Sequence, residues 1–388
     1  MEETNQPTAL FARTPLTDDG LPAQHGKPTI FRRLAPWLLV IPSALLGLLL
    51  FEVSCWLFVP SIGMNVPGRD RRVVFFDGPK EIFENHDDIF TYLPHERFRN
   101  LTAFFSRDDF VVEYDYRFKT NDIGLVQDTN IAPGRDSLLL LGDSFTEGQG
   151  GEPWFPLLSP AIDKLGYQAI NGGVMGTGFR QWLKLDRYLA AKNVNVRKLL
   201  VLFISDDYHR RVWRIPPPVF QCLSTPGLCR VEDSYLYRLP PKEELSSWIA
   251  RVRTARGPLR PHLKLSPAAL FPASFSIYTF LKTLVAFGEA EQESHAAIAE
   301  LIGIYGPKNV AFIHLPQKDE LDLGPNRLGS SARRAIADAG GKLFDGFKLC
   351  QLTKADYYTN DDHPNKSGYS KIAACAANVI NDFVAEAH

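Results

Sequence analysis

The chain has 388 residues, with 43 Lys and Arg against 44 Asp and Glu and a formal net charge of −1. That length supports a large core or more than one domain. The balance of charge argues against a nucleic-acid partner or any strongly charged one.

Residues 1–33 hold Pro, Thr, Gln and Gly without an apolar period and read as a flexible cytoplasmic tail. Residues 34–59 contain one ionisable side chain, Glu52. Such a stretch exceeds the ~20 residues needed to cross a bilayer. Trp37 and Trp56 fit the two aromatic belts of one spanning helix. Glu52, one turn inside Trp56, is expected to snorkel to the interface or to pair with a partner. The rival reading is a cleaved signal peptide, whose apolar region should be shorter and followed by a small-residue cleavage site. Arg32 and Arg33 abut the segment, while Arg69, Arg71 and Arg72 lie further from its other end. This favours the N-terminus inside and the larger part outside. The expectation is a single-pass inner-membrane protein, with the bilayer as partner through residues 34–59 and an extracytoplasmic remainder.

Cys55 lies in the apolar segment, leaving Cys222, Cys229, Cys350 and Cys375 on the outer side. Cys222 and Cys229 flank a Pro-Gly turn, and the expected pairing is Cys222–Cys229 with Cys350–Cys375. Four buried thiols are the alternative. No Cys-x-x-Cys or His pair accompanies them, so no metal is expected.

Residues 60–132 mix Phe75, Phe76, Phe83, Phe90 and Tyr92 with charges and are expected to pack on the main domain. Val111–Phe118 partly alternates and predicts a strand, followed by a turn over Lys119–Gly124. From residue 133 strands and helices alternate. Leu138–Leu141 is an unbroken apolar run, which predicts a strand buried on both faces. A helix is expected over Phe155–Leu165, a short strand over Tyr167–Ile170 and a helix over Phe179–Ala191. Strands are expected again at Lys198–Ile204 and Val310–Leu315, with a helix over 274–304 between them. A last helix carries Ile372, Ala376, Val379, Ile380 and Phe383 on the face that packs on the sheet. The alternation predicts a mostly parallel α/β sheet with its site outside the carboxyl ends of the strands. From 208 to about 272 Pro216–Pro218 and Pro240–Pro241 break the pattern, which predicts an insertion beside the site. Its Arg251, Arg253, Arg256, Arg260 and Lys264 are either a solvated face or a contact for anionic glycan or lipid headgroups.

Two stretches carry chemistry. Gly142-Asp143-Ser144 closes the first core strand where a helix begins. A Ser at that rim is either a nucleophile or a plain helix cap. Asn360-Asp361-Asp362-His363-Pro364-Asn365 supplies a His with carboxylates just before it, and Pro364 can begin a helix. Gly142-Asp143-Ser144-Phe145-Thr146-Glu147-Gly148 together with Asp361-x-His363-Pro364-Asn365-x-x-Gly368 resembles the SGNH/GDSL hydrolase family. Thr120-Asn121-x-x-Gly124 looks like its membrane-anchored branch. The resemblance covers roughly Lys119 to the C-terminus.

It implies a three-layer α/β/α domain over 133–388 and ester chemistry without cofactor or metal. Ser144 would be the nucleophile, His363 the base and Asp361 the acid that orients it. Asn360 occupies the alternative acid position, and Asp362 is expected to face solvent. The Ser144 and Gly176 backbone N–H groups would serve the oxyanion. Asp206, in Ile204-Ser205-Asp206-Asp207, stands where the family has a donating Asn, and an ionised carboxylate only accepts. Either Asp206 works protonated, or the site runs on two donors, or the assignment slips.

Two classes of function follow. The first is an extracytoplasmic serine esterase or O-acyltransferase, with O-acetyl esters of cell-surface polysaccharide or another ester as substrate. The second is a non-catalytic glycan-binding scaffold within an assembly of envelope membrane proteins. Asp206 and the basic insertion favour the second; Ser144 and His363 favour the first.

Overall fold

The computed structural model describes residues 30–58, 72–87, 89–105, 110–151, 154–211, 214–225, 236–240, 242, 244–248, 250 and 272–385. It divides into two units, Met1–Pro60 and Ser61–His388.

In the first unit, helix α1 (Ile30–Phe58) covers nearly all of the expected span at 34–59. Its side chains are described from 40 to 54, where Leu45, Leu46, Leu49 and Leu50 are all more than half exposed. Glu52 is buried. Among the described residues, no helix is long and apolar enough to cross a membrane. The tail before residue 30 and the side chains of Trp37, Cys55 and Trp56 lie outside what is described.

The second unit opens with strands β1 (Arg72–Asp77), β2 (Phe83–His86), β3 (Ile89–Tyr92), β4 (Arg97–Phe105) and β5 (Phe110–Lys119). The core sheet follows, with β6 (Ser137–Gly142), β7 (Gln168–Gly173), β8 (Val196–Phe203), β10 (Val310–His314) and β11 (Lys342–Asp345). Its order is β11-β10-β8-β6-β7, and every pairing is parallel. The two-residue period of a strand sends alternate side chains to opposite faces. Leu138, Leu140, Leu200, Leu202 and Ile313 meet helices α3 (Phe155–Lys164) and α9 (Lys366–Ala385). Leu139, Leu141, Leu199, Val201 and Phe312 meet α4 (Phe179–Ala191), α6 (Pro272–Tyr305) and α7 (Arg327–Asp338) on the other face. The result is a three-layer α/β/α domain with a parallel sheet.

A second sheet runs β5-β4-β1-β9, where β9 is Leu236–Arg238. It is antiparallel except at β1 and β9. Val74, Phe76, Phe98 and Phe118 from this sheet share one buried cluster with Leu139 and Leu141, so this sheet packs on the core. Part of the insertion is described away from the strand ends. It donates β9 to this second sheet, and Tyr237 packs there with Phe75, Trp248 and Cys222. The reason is the apolar outer face of β1, which needs a cover. Arg251, Arg253, Arg256, Arg260 and Lys264 lie outside the described residues.

Cys350 and Cys375 form the expected disulfide, with Cα atoms 5.0 Å apart. Cys222 is also disulfide-bonded, and its expected partner Cys229 lies outside the described residues.

Candidate active site

The site is built where β6, β7 and β8 end. At the end of β6 the chain turns at once into α2 (Ser144–Glu147). Asp143 is the cap: its Oδ1 accepts from the Phe145 N–H at 2.9 Å. The capping role considered for Ser144 thus falls to its neighbour, and the Ser144 hydroxyl is available for other work. Backbone bonds within the turn use the amides of Thr146, Glu147, Gly148 and Gln149. The Ser144 amide has no partner among the described residues.

The turn is pressed against β7. A Cβ on Gly173 would lie 2.1 Å from the Glu147 nitrogen, so no other residue fits there. β7 also runs further than its apolar run predicted, through Asn171 to Gly173. Asn171 is buried because its side chain is fully employed, donating to the Val126 carbonyl at 2.9 Å and accepting from the Gly173 N–H at 3.0 Å.

Beyond β7, Gly176 occupies a turn at φ +72°, a backbone state open to glycine at little cost. The turn is anchored from α2. Glu147 accepts from the Met175 N–H at 2.7 Å and from the Tyr92 hydroxyl at 2.9 Å. Burial pushes the Glu147 carboxyl up to about 8, against those two hydrogen bonds. The unfolded group ionises near 4.5, so folding becomes less favourable as pH rises from there to about 8. Glu147→Gln keeps both contacts without a charge, because its nitrogen can donate to the Tyr92 oxygen. We expect its melting temperature to match the parent near pH 4.5 and to exceed it by a growing margin up to pH 8. Parallel curves across that range would show that Glu147 stays ionised.

His363 arrives on the loop before α9. Pro364 does not begin the helix as expected. It bridges to Tyr357, and Asn365 caps α9 by accepting from the Ser367 N–H at 2.9 Å. The loop is pinned further by the Tyr358 N–H to the His363 carbonyl at 3.0 Å.

This brings three predicted residues together. His363 Nε2 lies 2.8 Å from Ser144 Oγ, and His363 Nδ1 lies 2.7 Å from Asp361 Oδ1. Ser144, Asp361 and His363 are each 6–7 % exposed. A carboxylate at Nδ1 selects the tautomer with its proton there, which leaves Nε2 to accept from the Ser144 hydroxyl. Burial would push the Asp361 carboxyl up. The neighbouring His363 and Arg72 and the hydrogen bonds it accepts outweigh burial and hold it well below the usual carboxylate range.

Asn360 takes no part in the triad. Its amide groups donate to Glu113 of β5 at 2.8 and 2.7 Å. Asp362 is exposed, as expected. Asp206 is half-buried in the short 3-10 turn Ser205–His209, with its N–H donating to Gln317 at 3.2 Å. No described hydrogen bond joins its side chain to Ser144 or His363. The inward carboxylate is Asp207, which accepts from the Ile204 N–H at 2.9 Å and pairs with Arg210 at 2.6 Å. Arg210 also donates to Asp143 at 2.7 Å and to the Thr177 carbonyl at 3.1 Å, so one guanidinium ties three strand ends together.

The sequence reading missed Arg210, Glu147, Tyr114 and Gln149 as parts of this neighbourhood. It weighed Arg72 only as a charge flanking the span, yet Arg72 lies 3.2 Å from Asp361.

No protein-family model matches the chain, and no curated protein does. Solved structures do show similarity. A lipase/acylhydrolase from Enterococcus faecalis is 13% identical, covering 64% of this chain and 96% of its own, with a TM-score of 0.35. An α/β hydrolase enzyme from the metagenome of Lake Arreo is 15% identical over 64% and 96%, at 0.34. The psychrotrophic esterase EstA from Pseudoalteromonas sp. is 15% identical over 64% and 98%, at 0.33.

Proposed function

We propose that this protein is a serine esterase that works through an acyl-enzyme on Ser144. The observation that carries this reading is the continuous chain of hydrogen bonds from Ser144 Oγ to His363 to Asp361. His363 Nε2 takes the hydroxyl proton as Ser144 attacks the ester carbonyl. Asp361 stabilises the imidazolium that forms. The amides of Ser144 and Gly176 donate to the oxyanion. As the tetrahedral intermediate collapses, the imidazolium returns its proton to the leaving alcohol. Water then enters by the reverse path, losing its proton to His363 and releasing the acid and free Ser144. If a sugar hydroxyl takes the place of water, the same residues perform O-acyl transfer.

The proposal extends to location and substrate. Residues 34–59 hold the enzyme in the inner membrane with Ser61–His388 on the outer side. The apolar, exposed side chains of α1 support this, as does the Cys350–Cys375 disulfide, which suits an oxidising compartment. In that place the accessible esters include O-acetyl groups of surface polysaccharide.

The test is a serine-reactive fluorophosphonate applied to the full-length chain in detergent. The parent is expected to label, and Ser144→Ala is expected not to. A folded parent that stays unlabelled would overturn the enzyme reading in favour of a scaffold. Offering acetylated and bare polysaccharide together then separates hydrolysis from transfer.

A further inference from the structure

We propose that Tyr114 and Arg72, on the second sheet, are positioning residues that hold the Asp361 carboxylate in register with His363. This rests on the esterase reading above and assigns a working role to a sheet outside the α/β/α core.

Asp361 has two oxygens with separate tasks. Oδ1 faces His363 Nδ1 at 2.7 Å. Oδ2 accepts from the Tyr114 hydroxyl at 2.8 Å and faces Arg72 Nη2 at 3.2 Å. The direction of the Tyr114 bond can be derived. The phenolic oxygen receives Arg72 Nη2 at 2.8 Å and Gln149 Nε2 at 3.2 Å. Both of those groups only donate, so neither can take the hydroxyl proton. The Asp361 carboxylate, which only accepts when ionised, takes it.

A carboxylate turns easily about its terminal torsion, because that sp³–sp² well is broad. Held only by His363, it would swing and loosen the Nδ1 contact. Donors on Oδ2 remove that freedom. Tyr114 is itself fixed: it is 4 % exposed, packs at a tilt against Tyr358 with ring centres 5.0 Å apart and meets the His363 ring edge-on at 6.5 Å. Gln149 links it back to the nucleophile, since the Gln149 N–H bonds the Ser144 carbonyl at 3.0 Å. Strands β1 and β5 thus reach both ends of the triad.

Among the described residues, the charged and titratable groups around Asp361 are few. Arg72 comes from β1, Tyr114 from β5, and His363 and Asp362 from its own loop; Lys318 and Asp319 act on Asp362. Asp143 stands beside Ser144, and Glu113 of β5 is held by Asn360. Arg72 is the cation that faces Asp361 directly.

The test uses full-length protein and three variants. Tyr114→Phe removes one hydroxyl and keeps the ring. It is expected to lower kcat roughly 10- to 100-fold with KM within a factor of two, the size of a hydrogen bond to a charged group. Arg72→Gln removes the charge, so the imidazolium loses a repelling neighbour. The acid limb of kcat/KM is then expected to move to higher pH by about half to one unit. Arg72→Lys restores the charge and is expected to return the limb to the parent position. A purely structural role would instead lower the melting temperature and scale the whole pH profile without moving it. Parent-like kcat in Tyr114→Phe, or an acid limb that does not move in Arg72→Gln, overturns the inference while the parent still labels with fluorophosphonate. An unlabelled parent overturns the esterase reading and this inference with it.

Discussion

Asp361→Asn should lower turnover of a simple ester by roughly ten-thousandfold, the scale seen when a triad acid loses its charge. The size follows from the surroundings of the second oxygen. Tyr114 and Arg72 both donate toward Oδ2, so an Asn side chain would place its oxygen there. Its NH₂ group would then face His363 Nδ1. Two donors cannot share a hydrogen bond, so the ring would shift its proton to Nε2. In that tautomer Nε2 can no longer accept from Ser144, and the base is lost. Asn360→Ala serves as the control. Asn360 is bound to Glu113 in an exposed contact, and its removal should change turnover by less than about threefold. Steady-state hydrolysis of p-nitrophenyl acetate measures both. An Asp361→Asn enzyme that keeps a tenth of parent activity would remove Asp361 from the triad.

The parts of the site that were legible in the sequence are those whose evidence is local. Ser144 follows an apolar strand directly, and Asp361 and His363 are two residues apart. Arg72 and Tyr114 carry no such mark. They come to Asp361 from strands far earlier in the chain, and only tertiary packing shows their role. Asp206 and Asp207 illustrate a different limit. Adjacent carboxylates look alike in sequence, and the 3-10 turn after β8 decides that Asp207 is the one turned inward. Its phase cannot be counted from residue spacing.

The same contrast runs through the fold. β6, β8 and β10 are buried on both faces and appear as continuous apolar runs. β11 is a half-buried edge strand of four residues and gives too short a pattern to recognise. β9 has three residues, and its pairing with β1 is set by the apolar face it covers. His314 shows how a conspicuous residue can be structural. It lies at the end of β10, stacked on Phe203, with Nδ1 accepting from Arg333 at 2.7 Å and Nε2 bonded to Ser205 at 3.0 Å. Burial and Arg333 push it down to about 3, so it stays neutral and braces the turn that carries Asp207.

Replacing Arg210 by Met should cost about 3–5 kcal/mol of stability at neutral pH, the range for breaking a buried ion pair on one side. Arg210 lies between two carboxylates that are 0 % exposed, Asp143 and Asp207. Burial and the nearby Asp143 charge already push the Asp207 carboxyl well up, and Arg210 and the Ile204 N–H oppose them. Without it, two like charges would share a dry site, and Asp207 would bind a proton more tightly still. The sign of the pH dependence follows. An unfolded Asp ionises near pH 4, so below that value both states are protonated and the charge penalty is absent. Above it the unfolded chain sheds the proton readily while both folded proteins resist; the parent, helped by Arg210, ionises first as pH rises, and from there the penalty in the variant grows. Urea unfolding at pH 5 and pH 8 should therefore find Arg210→Met closer to the parent at pH 5. Adding Asp207→Asn removes one of the two charges yet keeps an oxygen for the Ile204 N–H. The double variant should recover much of the lost stability and lose most of its pH dependence. It should not recover activity, because the Thr177 carbonyl and the Asp143 side chain remain unlinked beside Gly176 and Ser144. A double variant as unstable as the single one, or a penalty equal at both pH values, would show that Arg210 acts by packing alone.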